Sequence, residues 1–201
     1  MSHWLDAEEQ KLHTEDKGHL ALKNKRVEIE GNFVLVSAQY NAFIEDLYQL
    51  LNRVNDLPLE SRTEFGSIEG REKETKLNNH LNIFSSSRRK YRISFFDFFR
   101  FFKRKKYKNI RVVYIYVSSH QGKINIEVKE RTLMRLSMGV DKPEGDEGRR
   151  VKRQGHVVAS LPVEMLDHEF ALDIIDWLAF KKDSANSPAI AKLKQYGLTK
   201  R

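Results

Sequence analysis

Between Arg88 and Lys108 the chain carries ten lysines and arginines against one acid, Asp97. Side chains of that type at that density hold phosphates or other anions. The four consecutive cations Lys103, Arg104, Lys105 and Lys106 repel one another until counter-charge arrives. Arg88, Arg89, Lys90, Lys108 and Arg111 flank this run. Arg149 and Arg150, with Lys152 and Arg153, form a second cluster in a charged stretch that could join the first. Together these residues are the candidate polyanion site, with nucleic acid the favoured partner and an anionic membrane surface a weaker one. Tyr107, Tyr114 and Tyr116 lie close by, and single-strand binding uses such rings for stacking. The segment "KNIRVVYIYV" nevertheless lacks the glycines of an RNA-recognition strand. The competing interpretation is a solvated turn, or a clamp onto the acidic front of the chain, since residues 1–60 carry eleven acids against six bases.

Other chemistry finds less support. The seven histidines are scattered, and no pair has metal-ligand spacing with a carboxylate. In "LDHEF" Asp167, His168 and Glu169 are adjacent, but neighbours on a helix point in different directions. "SSHQGK" (118–123) resembles a phosphate loop only faintly. It is followed by strand-like "INIEV", so a hairpin turn accounts for it. There is no cysteine, no glycine-rich dinucleotide fingerprint and no GxSxG elbow. The expectation is a protein without catalysis, cofactor or metal. With no signal-type N-terminus and no apolar run of spanning length, it is expected to be cytoplasmic.

The elements that must carry the basic residues begin with a long helix. Ile29, Phe33, Val36, Tyr40, Phe43, Leu47, Leu50, Val54 and Leu57 alternate steps of four and three, which keeps one helical stripe apolar. Ile44 and Leu51 widen it, favouring packing on the chain's own domain or on a helical partner. Phe33, Val36, Tyr40, Phe43, Leu47, Leu50 and Val54 are the candidate association stripe, for a second copy or another helical protein. Pro58 ends the helix. Residues 1–28 continue its register with few apolar positions and are expected to be a loosely anchored helical arm. Residues 59–87 are expected to form a loop and a second helix, broken at the serines 85–87. Within them "GSIEGR" spells a protease-cleavage linker, though its flanks continue the chain's own pattern.

Six phenylalanines fall between Phe95 and Phe102. The Ser94–Asp97 spacing and the polar residues at steps of three predict a helix, with a strand leading into the sheet as the alternative; its rings are expected to belong to the core, with interfacial insertion as the other reading. From residue 110 the period becomes two. "IRVVYIYVSS" and "KINIEVKERTLMRLSM" predict strands, 139–155 a mobile charged loop, and "HVVASL" a short edge strand. A helix through Leu166, Phe170, Ile174 and Leu178 follows, then another capped by Ser187–Pro188. The predicted fold is α+β: an arm (1–28), a helical pair (29–87), and a domain (88–201) with an antiparallel sheet of three to four strands and helices on one face. The functional expectation is an interaction module that binds an anionic partner through the basic segment and associates through the stripe. An oligomeric scaffold and a peripheral membrane protein are the alternatives.

Overall fold

The computed structural model describes residues 3–92, 105–136 and 149–197, with side chains over 18–89, 107–133 and 155–197. Helix α1 (His3–Asn55) leads into a short 3-10 turn and then five strands, β1 (Ile68–Lys73), β2 (Leu81–Arg92), β3 (Lys105–Val117), β4 (Lys123–Leu136) and β5 (Arg149–Pro162). They form one antiparallel meander in the order β1-β2-β3-β4-β5. Helices α2 (His168–Leu178) and α3 (Pro188–Gln195) close the chain. The α+β expectation holds, with five strands rather than three to four. No helix among the described residues is long and apolar enough to cross a membrane.

The largest correction concerns residues 59–87. The expected second helix is instead β1 and the first half of β2, with Ile68 opposite Ser86 and Lys73 opposite Leu81. β1 is exposed along most of its length. The serines 85–87 do not break an element; they lie inside β2. "GSIEGR" is structural: Ile68 is buried, and a Cβ on Gly70 would come within 2.7 Å of the Tyr48 ring. Glycine there lets α1 approach β1. The stretch 139–155 is also partly sheet, because β5 starts at Arg149. The phenylalanine segment 95–102 lies outside the described residues.

The apolar stripe of α1 is core. Ile29, Val36, Tyr40, Phe43, Leu47 and Leu50 are buried, while Phe33 and Val54 are half-buried against them. They cover the inward face of the sheet, formed by Phe84, Val113, Ile115, Val117, Ile124, Ile126, Val128, Ala159 and Leu161. Phe43 also stacks on Phe170 of α2, with centroids 6.0 Å apart. The stripe therefore meets its own sheet and α2 rather than a separate partner. Ile44 and Leu51, buried too, make it broader than a coiled-coil seam.

Polar residues on the same helix tie it to the sheet's loose backbone ends. Asn32 donates to the carbonyls of Ser118 and Lys123 and accepts from the Gly122 amide at 2.8 Å, clamping the β3–β4 turn. Gly122 has φ +68°, so "SSHQGK" is the hairpin turn expected. Tyr40 donates to the His80 carbonyl at 2.8 Å and accepts from Asn82. Burial pushes its phenol well above the ordinary range. Asn55 exchanges two bonds with Ile68, fixing where β1 begins. By contrast, every side chain from Gly18 to Glu28 is exposed, as expected of an arm with little to anchor it.

Candidate nucleic-acid interface

On the strands, burial stops at one row, Ser86–Arg111–Glu130. Beyond it β2, β3 and β4 continue, and no described side chain of this extension is buried. β5 pairs alongside. Register brings the two basic clusters together here. Arg89 stands opposite Lys108 and Arg92 opposite Lys105. Lys106 stands opposite Arg135, which is opposite Arg149. Arg131 stands opposite Arg153. β2 contributes four cations beyond the buried row, β3 three, β4 two and β5 four, and these segments contain no acid. Like charges directly opposite each other destabilise a sheet by about 0.2–1 kcal/mol per pair. Bringing them into one array calls for counter-ions.

Of the expected polyanion residues, Arg88, Arg89, Lys90, Lys108 and, by backbone register, Lys105, Lys106, Arg149 and Arg150 belong to this extension. Lys103 and Arg104 lie outside the described residues. Arg88 is partly engaged, 3.6 Å from Glu64 and 5.9 Å from the Phe180 ring. Lys108 and Arg89 are exposed. Pattern reading did not single out Arg131 and Arg135 as anion ligands, because on β4 they read only as the wet side of an alternating strand.

Arg111 is the correction. It is 2% exposed and faces inward. Its Nε lies 3.0 Å from Glu130 Oε1, and Nη1 donates to the carbonyls of Trp177 and Lys182. Its plane lies over the rings of Trp177 (4.9 Å) and Phe180 (4.3 Å). The guanidinium thus caps the C-terminal end of α2, where free carbonyls carry negative partial charge. Phe180, whose ring lies beneath the guanidinium, has φ +58°, an unusual backbone for a residue with a side chain. Ser184 completes the cluster by donating to Glu130 at 2.6 Å and accepting from Trp177 Nε1 at 2.9 Å. Nε and Nη1 of Arg111 are thus committed within the chain, and Nη2 lies 3.9 Å from Asp183 Oδ1.

Among the described residues the apolar sides of α1, α2 and α3 join the inward core, while Lys25 and Ile29 of α1 reach the end of the outward face beside Tyr114 and Tyr116. Two clefts open along that face. The first, about 640 Å³, is lined by Ser85, Ser87, Arg89, Lys108, Ile110 and Glu69 together with the 62–67 turn, which brings Glu64. The second, about 410 Å³, is lined by Leu77, Leu81, Tyr114, Tyr116, Asn125 and Glu127, with Lys25 and His120 at its rim. Burial and the nearby Glu127 carboxylate raise the Tyr116 phenol. Glu127 is itself partly desolvated, but bonds from Lys129 (2.7 Å) and His156 (2.6 Å) prevail and lower its carboxyl. Lys129 also sits over the Tyr114 ring at 4.5 Å. Asn125 Oδ1 is buried without a partner.

The triplet in "LDHEF" disperses. Asp167 caps α2 by accepting from Phe170 N, His168 binds Asp46 of α1 at 2.8 Å, and Glu169 is exposed. Among the described residues no three histidine or acidic side chains converge as metal ligands. Comparison with family models, with curated proteins and with solved structures finds no match to this chain.

Proposed function

We propose that this protein is a binding module for polyanions, nucleic acid foremost, working through the basic extension of its sheet. The observation that carries this reading is the register of β2–β5. It sets same-sign residues directly opposite one another over several rows with no acid among them. A merely solvated turn explains one run of lysines but not an ordered array drawn from four strands. Phosphates supply the missing charge, and their displaced counter-ions drive binding.

The test is fluorescence anisotropy with labelled oligonucleotides across a salt series. The wild-type protein should bind with a steep logarithmic salt dependence, and Arg89→Glu with Lys108→Glu should weaken binding. The slope should fall by about 0.7–0.9 for every phosphate that the variant no longer neutralises. Binding indifferent to salt and to these substitutions sinks the proposal. Preference for anionic vesicles over nucleic acid would reassign the same surface to lipid.

A second reading, association through α1, rests on a different set of residues from the stripe. Leu20, Val27 and Val34, spaced by seven, are more than half exposed and share one helical face. Sedimentation of Val27→Glu with Val34→Glu decides it: a dimer reduced to monomer supports association, and an unchanged mass removes it.

A further inference from the structure

The two clefts are joined by a single strand. Lys108 and Ile110 line the first, Tyr114 and Tyr116 the second, and with Val112 they are alternate residues of β3 on its outward side. From Lys108 to Tyr116 the strand spans about 27 Å. Along that line the chemistry changes in order, from Arg89, Lys108 and serine hydroxyls with Glu64 and Glu69 at the cleft wall, through aliphatic surface, to tyrosine rings. Cross-strand neighbours keep the order: Arg89 and Leu133 flank Lys108, whereas Ile83 and Glu127 flank Tyr114.

We propose that the outward face of the sheet is a track for single-stranded nucleic acid, with phosphates held around Arg89 and Lys108 and bases stacked on Tyr114 and Tyr116. This rests on the polyanion reading above and narrows it to unpaired strands. A duplex presents phosphates to the cations but keeps its bases stacked on one another, out of reach of tyrosine rings on a sheet. A single strand offers both at once, and base–tyrosine stacking is tolerant of sequence. The 410 Å³ cleft lies within the size range of small-ligand sites, which suits an unstacked base. A base that takes over the Tyr114 face displaces Lys129 from above the ring and leaves its ammonium on Glu127.

The experiment uses the full-length protein with a labelled fifteen-nucleotide strand of mixed sequence and the corresponding duplex, at equal salt. The strand should bind at least tenfold more tightly, in round numbers. Tyr114→Leu with Tyr116→Leu should lower strand affinity fivefold or more, at the low end of what stacking supplies, and change duplex affinity less than twofold. Should that variant not fold, 5-bromouracil placed along the strand should photo-crosslink to Tyr114 or Tyr116 of the wild-type protein. Equal affinity for strand and duplex, an unaffected folded tyrosine variant, or crosslinks confined to other residues would overturn the track while leaving the polyanion reading standing. Absence of salt-sensitive binding to either probe would overturn both.

Discussion

Arg111 shows how far identity and role can diverge for one residue. It sits three positions from Lys108, in a stretch otherwise rich in exposed cations, yet strand alternation turns it inward onto Glu130 and the end of α2. A buried pair of this kind is weak evidence of net stabilisation, but breaking it is costly because the surviving charge is stranded. Arg111→Ala should therefore lower unfolding free energy by about 3–5 kcal/mol in urea titration, with Arg111→Leu/Glu130→Leu recovering much of the loss. Nucleic-acid affinity of the folded variant should stay within twofold of wild type. Reduced affinity at unchanged stability would return Arg111 to the binding surface. Its burial was not legible in a count of charges. The inward register of Val113, Ile115 and Val117 was legible, and Arg111 falls in step with them.

At the scale of elements, the long helix could be read from spacing alone, because four heptads of unbroken apolar repeat leave few alternatives. What it packs against could not, since a sheet and a helical partner ask for the same stripe. β1 and the start of β2 were misread for a related reason. Glu69, Arg71, Glu72 and Lys73 are solvent-facing residues on an edge strand, and charged residues at short spacing satisfy a helix and a wet strand equally. The roles of Asn32 and Asn55 arise from backbone groups of the sheet ends that no local pattern announces. Two substitutions separate the buried and free sides of α1. Leu47→Ala, at a fully buried position, should cost about 2–5 kcal/mol in chemical denaturation. Gly31→Ala, where an added Cβ meets nothing within 4 Å, should stabilise by about 0.5–1 kcal/mol. If Leu47→Ala changed oligomeric mass and left stability alone, the stripe would be an interface after all.

Across the whole molecule, one half of the sheet is stabilised by core and the other carries charge. Helices cover the end nearest the β3–β4 turn, while the opposite end extends past the last buried row with its cations aligned. The two basic clusters were visible as runs of sequence; that they meet is a consequence of long antiparallel pairing, which places Arg149 and Arg153 on the strand beside Arg131 and Arg135. Such an array sets stability against binding. Arg89→Glu turns a repulsive cross-strand pair with Lys108 into an attractive one, worth about 0.2–1 kcal/mol for such pairs. The variant should therefore melt slightly higher at low salt, and the gain should shrink as salt screens both pairs. The same substitution removes a phosphate ligand, so its affinity for nucleic acid should fall. Stability and affinity moving in opposite directions in one variant is what a surface held open for an anion requires. If Arg89→Glu instead lowered the melting temperature at low salt, the arginine would be making a native contact that matters more than its repulsion. The array would then be a structural feature of the fold and not a site kept unneutralised for a ligand.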